Sequence, residues 1–231
     1  MKQITLFDDL SEAGQPQPQS MAQPQSMAQG SNAEPENNWI APDLPDANIR
    51  YLTHFLSPAE ADQCLAALKQ ELTWRQDEIT LYGKTFLTPR LQAWYGDPEA
   101  RYHYSGMSLH PLAWTETLLT LKRRCEQAAH TTFNSVLGNW YRDGSDSMGM
   151  HADDERELGS TPIIAALSLG ASRPLKFRHK TAAAKIDLPL PHGSLLLMSG
   201  ATQAHWQHGL NKTKKPIGER ISLTFRHIFP D

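Results

Sequence analysis

No long hydrophobic run occurs in this sequence. No window approaches the 18 consecutive apolar residues that a membrane-crossing helix requires, so no membrane partner is expected. Cysteine is nearly absent. Cys64 and Cys125 stand alone in helix-like segments, without the spacing of a metal knuckle or a disulfide framework, and two free thiols suit a reducing cytosol. An apolar signal core is missing as well, because Asp8 and Asp9 follow at once on Met1-Lys2-Gln3-Ile4-Thr5-Leu6-Phe7. A cytoplasmic, monomeric protein is the expectation. Charge of one sign is not in excess either, since the net charge of -3 permits an anionic partner without demanding one. Its distribution is uneven. Residues 1–50 hold Lys2 and Arg50 against seven acids, while basic clusters occur at Arg173, Lys176, Arg178 and Lys180 and at Lys212, Lys214 and Lys215. Solvated loop lysines are the plain alternative for such short runs.

What is present divides the chain into three parts. Residues 10–45 lack periodicity and are rich in Gln, Pro, Ser and Asn, with Gln-Pro-Gln-Ser-Met-Ala in tandem at 17–22 and 23–28. Such a stretch cannot bury enough apolar surface to offset its ordering entropy, and it reads as a disordered linker. Ahead of it, residues 1–9 carry Gln3, Leu6 and Phe7 in an order that resembles the Gln-x-x-Leu-Phe peptides with which bacterial repair and replication proteins dock on the sliding clamp. A Leu-Phe pair on a flexible leash would fill an apolar pocket at raised local concentration. Residues 46–231, with 39% hydrophobic content over the whole chain, are enough for one core.

Within that part, Ser57-Pro58-Ala59-Glu60 has capping-box form and predicts a helix from Pro58 to Leu72 with Ala61, Leu65, Leu68 and Leu72 inward. A second helix is expected from Leu112 to about His130, with Leu118, Leu121, Cys125 and Ala128 inward. Short strand-like pieces lie between them, at Glu78–Tyr82, Thr85–Leu87 and Leu91–Tyr95. After Thr131 come Phe133–Tyr141, Ile163–Leu169, Leu175–Arg178, Lys185–Leu188, Ser194–Met198 and Arg220–Phe229, each bounded by turn residues. Helices followed by many short strands indicate a mainly β fold with flanking helices, a sandwich or jelly roll.

Chemistry concentrates near the end. His151 and Asp153, two apart on an extended segment, point to one side and can grip one ion. Together with His208 they could take three facial positions of a non-haem Fe(II), with three left for a co-substrate and O₂. Three surface polar residues would look the same. Arg220–Arg226 adds weight, since period-2 geometry puts Arg220, Ser222, Thr224 and Arg226 on one face and Ile221, Leu223 and Phe225 on the other. Arginine forks at both ends of a polar strand face suit a dicarboxylate, although a solvent-facing edge strand would also tolerate them. On Phe133–Tyr141 the same alternation puts Asn139 and Tyr141 together.

Over roughly residues 78–229 these segments resemble the AlkB-type Fe(II)- and 2-oxoglutarate-dependent dioxygenases, and among them the animal nuclear members that repair alkylated DNA. The resemblance runs through Phe133–Gly144, His151-Ala152-Asp153-Asp154-Glu155, Phe177-Arg178-His179-Lys180, His192-Gly193-Ser194-Leu195-Leu196, Trp206-Gln207-His208 and Arg220–Arg226. It implies a double-stranded β-helix preceded by N-terminal helices and a nucleotide-recognition hairpin region at 78–110. It further implies His151, Asp153 and His208 as iron ligands, with His205 as a rival for the third. By the same resemblance Asn139, Tyr141, Arg220 and Arg226 hold 2-oxoglutarate, assisted by Thr224, with Arg220 on the distal carboxylate and Arg226 near the iron-chelating end.

The activity so implied is direct-reversal repair of bases such as 1-methyladenine and 3-methylcytosine. An N-alkyl carbon is oxidised with O₂, 2-oxoglutarate becomes succinate and CO₂, and the carbon leaves as formaldehyde. A base inside a duplex must be extruded for this. The resemblance puts Tyr102, Tyr104 and Ser105 at the base pocket, where the tyrosines could instead be core residues. Asp154 and Glu155 would read the exocyclic amine, and Tyr82 would tip a wedging hairpin. Arg90, Arg178, Lys180 and the Lys212–Lys215 loop are candidates for phosphate contacts. Two other readings stay open: a dealkylase for RNA or single strands, and a catalytically silent metal-binding adaptor tethered to the clamp.

Overall fold

A computed structural model describes residues 38–81, 84–104 and 107–229. The order opens with β1 (Asn48–Leu52), α1 (Pro58–Glu71), β2 (Glu78–Leu81), β3 (Lys84–Leu87) and β4 (Leu91–Gly96). It continues with β5 (Tyr102–Tyr104), β6 (Met107–Leu109), α2 (Glu116–Ala129), β7 (Ser135–Tyr141) and β8 (Met148–His151). Then follow β9 (Ile164–Gly170), β10 (Arg173–His179), β11 (Lys185–Leu190), β12 (Ser194–Ser199), α3 (Thr202–His205), β13 (Trp206–Leu210) and β14 (Arg220–Arg226).

Ten strands build two sheets. One has the order β1-β12-β9-β14-β7-β4 and the other β11-β10-β13-β8, and every pairing is antiparallel. The neighbours in each sheet are largely non-consecutive in sequence, as a jelly roll requires. Two separate hairpins, β2-β3 and β5-β6, complete the strands among the described residues.

Alternation along each strand of the larger sheet sets what its two faces meet. Ala165, Leu167 and Leu169 of β9, Leu195 and Leu197 of β12, and Ile221, Leu223 and Phe225 of β14 join one cluster with Ala61 and Leu68 of α1 and Leu118, Leu121 and Cys125 of α2. The helices therefore cover the outer face. On the inner face Ile164, Ala166, Leu196 and Met198 meet Phe177, Leu188, Leu190 and Trp206 of the smaller sheet. That half of the interior is packed shut. The half under β14 and β7 is polar instead, and there the chemistry collects.

The capping box of α1 forms as expected: the Glu60 N–H donates to Ser57 Oγ at 3.3 Å, and the Ser57 N–H donates to Glu60 Oε2 at 2.8 Å. α2 starts later than Leu112, at Glu116, because Thr115 caps it with its side chain accepting the Leu118 N–H at 3.3 Å. β14 ends at Arg226 rather than Phe229. The folded part begins before residue 46, so residues 38–45 belong to the fold rather than to the linker. Ile40 pairs with Tyr51, Trp39 packs on the core beneath the Arg50 guanidinium, and Trp206 Nε1 donates to Pro45 O at 2.8 Å.

Candidate metal and co-substrate centre

β8 and β13 bring His151 directly opposite His208 in register, with ring centroids 4.4 Å apart. A bulge between His208 and Leu210 and the absence of a side chain at Gly209 allow this approach. A Cβ there would meet Met150 Sδ at 2.9 Å and Gly149 O at 3.0 Å. Asp153 lies two residues beyond the end of β8, with its N–H held by Gln203 Oε1 at 3.0 Å. The ligand atoms of His151, Asp153 and His208 all lie within 4.8 Å of one another.

Hydrogen bonds fix the chemistry of each donor. His151 Nδ1 sits 3.0 Å from Gly149 O, and a carbonyl only accepts, so Nδ1 carries a proton and Nε2 is the nitrogen turned to the trio. Nε2 faces Asp153 Oδ1 at 3.6 Å. Burial pushes the His208 imidazole down to about 3, so its ring is neutral at physiological pH. Burial alone would raise the Asp153 carboxyl, but Arg226 and the two neighbouring imidazoles together outweigh it and hold the group well below the usual carboxylate range. The Arg226 fork reaches both oxygens, Nη2 to Oδ1 at 2.9 Å and Nε to Oδ2 at 3.3 Å. Two imidazole nitrogens and one ionised carboxylate are what a divalent transition metal binds.

A second trio fails that test. Asp46, His179 and His205 also converge within 4.8 Å. But His179 Nδ1 accepts the backbone N–H groups of Ala182 at 2.8 Å and Thr181 at 3.2 Å, which places its proton on Nε2, facing Asp46 Oδ2 at 3.3 Å. A protonated nitrogen offers no lone pair. His205 belongs to this exposed group and not to the first, which leaves His208 as the third member of the buried trio.

Arg220, at the other end of β14, is only 2% exposed and lies in a central strand, not an edge. Burial pushes it down to about 10, and its Nε finds no partner among the described residues. Its Nη2 donates to Ser168 Oγ at 2.8 Å. The guanidinium lies 5.5 Å from the centre of the Tyr141 ring, with Arg173 5.6 Å from the same ring. Asn139 and Tyr141 pair in register with Ser222 and Arg220 on the same inner face. A buried cation with an unanswered N–H, flanked by an amide and a phenol, is an anion cradle that a dicarboxylate fits. Thr224 is buried on this face, between Leu137 and Ala166.

The remaining residues distribute as follows. Asp154 is exposed and is paired with Lys180, whose Nζ lies 3.2 Å away and also donates to Gln203 O at 2.9 Å. Glu155 is half-buried beside Asp153, its carboxyl raised by burial and by that neighbour, and its Oε2 has no partner among the described residues. Arg178, Lys212, Lys214 and Lys215 are exposed. Arg90 is not: it is buried at 8% exposure and bonded internally to Asn139, which does not suit the surface phosphate contact expected of it. Arg173, read from the sequence as part of a surface basic run, is also buried and donates to the carbonyls of Asp143, Asp146 and Asn211. Parity with Leu175 and Phe177 on β10 was the available signal for that. Tyr102 and Tyr104 lie on β5, while Tyr82 and Ser105 fall outside the described residues, as do residues 1–37. Gln92 and Gln203, which hold Asn139 and Asp153, were not foreseen.

Comparison with known proteins decides the family. The sequence profile of the 2OG-Fe(II) oxygenase superfamily matches residues 48–226. This chain belongs to that superfamily. Among curated members, the rat alpha-ketoglutarate-dependent dioxygenase alkB homolog 3 is 43% identical over 187 residues, covering 77% of this chain and 63% of that protein. The mouse DNA oxidative demethylase ALKBH2 is 40% identical over 189 residues, covering 77% of this chain and 79% of that protein. The chain thus spans less than two thirds of the alkB homolog 3 relatives it matches, 63% in rat and 65% in mouse and human. The solved structure of OsALKBH1 superposes with a TM-score of 0.56 at 15% identity, covering 78% of this chain and 96% of that one, and shares the fold. Iron and 2-oxoglutarate define this superfamily, and the buried trio and the Arg220 cradle fit them.

Proposed function

We propose that this chain is a DNA-repair dioxygenase that removes small alkyl groups from ring nitrogens of bases such as 1-methyladenine and 3-methylcytosine. One observation carries the reading. A single strand, β14, joins a His-His-Asp trio, its carboxylate gripped by Arg226, to an unneutralised buried cation at its Arg220 end. The names of the relatives, alkB homolog 3 dioxygenase and DNA oxidative demethylase, support the substrate class.

His151, Asp153 and His208 would hold Fe(II), while Arg226 keeps Asp153 ionised and aimed. Arg220 would take the distal carboxylate of 2-oxoglutarate, beside Asn139, Tyr141 and Thr224. Bound together, iron, 2-oxoglutarate and O₂ supply oxidation of the N-alkyl carbon, with succinate and CO₂ as co-products. Asp154 and Glu155, which follow the metal ligand Asp153, would accept from an exocyclic amine; the unpartnered Oε2 of Glu155 supports this. Exposed Phe86 and Leu87 on the β2-β3 hairpin support a duplex-facing apolar element, for which Tyr82 would be the wedge. Arg178, Lys180, Lys212, Lys214 and Lys215 supply exposed positive charge for phosphates, and Tyr102, Tyr104 and Ser105 would shape the base pocket.

The protein would act as a monomer in the cytoplasm, tethered to the sliding clamp by Gln3, Leu6 and Phe7 through the following linker. A panel of 1-methyladenine and 3-methylcytosine oligonucleotides, as DNA and RNA, single- and double-stranded, tests the substrate. Faster methyl loss from DNA, with Tyr82→Ala slowing duplex more than single strands, is the expected pattern. A preference for RNA would move the substrate class, and metal binding without turnover of any alkylated substrate would identify an adaptor.

A further inference from the structure

Arg90 sits on the turn before β4, and its guanidinium points inward. Its Nε donates to Asn139 Oδ1 at 2.8 Å, and its Nη1 donates to Ser147 O at 3.3 Å. Gln92, two residues on, donates through Nε2 to the same Asn139 oxygen at 3.2 Å. The turn is clipped to the same loop from the other side, where the Ser147 N–H donates to Pro89 O at 2.8 Å. Arg90 thus touches a residue of the 2-oxoglutarate cradle and the residue that precedes β8, the strand ending in His151.

Guanidinium is the one side chain here with donors and no acceptor at any accessible pH. Its presence leaves an amide at position 139 a single low-energy orientation. Oδ1 must face Arg90, and Nδ2 with its two N–H groups must face away from it. Gln92 cannot undo this, because turning its own amide would set two oxygens against each other. A carboxylate ligand needs donors, so the fixed orientation presents the useful end of Asn139 to the cradle. We propose that Arg90 is a positioning residue for 2-oxoglutarate, acting through the Asn139 amide, and not a nucleic-acid contact. This rests on the dioxygenase reading and adds to it a role for a residue that never touches the co-substrate.

The experiment measures 2-oxoglutarate binding to the Mn(II)-loaded full chain by calorimetry, with Arg90→Lys, Arg90→Met and Asn139→Asp beside the unaltered protein. DNA affinity is followed against salt concentration without 2-oxoglutarate, and Tm reports folding. Arg90→Lys keeps the charge but cannot reach both acceptors, so its Kd for 2-oxoglutarate should rise about tenfold, as expected for weakening one charge-assisted hydrogen bond. KM for 2-oxoglutarate should rise in parallel, while kcat at saturation and KM for DNA stay near those of the unaltered chain. Asn139→Asp should fold, since a carboxylate still accepts from Arg90 and Gln92, yet lose 2-oxoglutarate because an oxygen now faces the anion. Arg90→Met should leave the salt dependence of DNA binding unchanged. A slope reduced by about one ionic contact, with 2-oxoglutarate binding unaltered, would overturn the proposal and make Arg90 a phosphate ligand. Equal loss of Tm, kcat and both affinities would overturn it in favour of a merely structural residue. No 2-oxoglutarate binding by the unaltered chain would instead defeat the dioxygenase reading itself.

Discussion

Replacing Arg220 with methionine separates binding from stability, because the two should move in opposite directions. The guanidinium is buried with one N–H unanswered, and burial lowers its pKa to about 10 from 12.5. That difference corresponds to roughly 3 kcal/mol by which burial disfavours the charge. Methionine fills a similar volume and needs no partner. The protein without co-substrate should therefore keep its Tm or gain a few degrees. Binding should suffer heavily. The distal carboxylate would enter a buried pocket without its cation, a loss of about 2–5 kcal/mol for truncating one side of a buried charge pair. At 1.4 kcal/mol per tenfold, this is a 30-fold or greater rise in the Kd for 2-oxoglutarate. Thermal melts with and without 2-oxoglutarate, in the presence of Mn(II), measure both quantities on one sample. Unaltered stabilisation by 2-oxoglutarate in Arg220→Met would refute the assignment of the cradle. A large drop in Tm of the unliganded protein would refute the claim that the charge is held there for a ligand.

Gly209→Ala should weaken Mn(II) binding by about ten- to a hundredfold, because its Cβ would push against Gly149 O and part His151 from His208; unchanged affinity by calorimetry would contradict this. The metal-free protein should lose stability as pH falls from about 6.5 towards 3, since unfolded His208 takes up a proton that the folded ring, at about 3, does not. The His208 part of that slope is up to about 1.4 kcal/mol per pH unit and should be absent in His208→Gln, as urea titrations at several pH values would show. Cys125, fully buried with its thiol pushed up by burial, should escape alkylation at neutral pH until the protein unfolds, whereas rapid labelling of the native chain would place it wrongly.

Much of this architecture was legible wherever one local rule governs. Ser57 and Glu60 announced α1, and the alternation in Arg220–Arg226 sorted that strand into a core face and a polar face before any pairing was known. β8 and β13 were not legible as strands, because Gly149 and Gly209 interrupt the apolar signal and the two segments become strands only by closing on each other around His151 and His208. The trio itself was visible as residue types, but its tautomers depend on Gly149 O and its charge on Arg226, both set by tertiary contacts. Arg90 and Arg173 were misplaced on the surface for one reason. Charge suggests solvent; strand parity marks Arg173 as inward, but neither Asn139 Oδ1 nor the three carbonyls that receive those guanidiniums lies near in sequence.

The most direct test of the account is mass spectrometry of a 3-methylcytosine oligonucleotide after anaerobic loading of the chain with Fe(II) and 2-oxoglutarate and exposure to O₂. The account predicts loss of the methyl group with formaldehyde and succinate formed in equal amounts, and no reaction in His151→Ala. Succinate without methyl loss would contradict the substrate, and methyl loss that survives in His151→Ala would contradict the site.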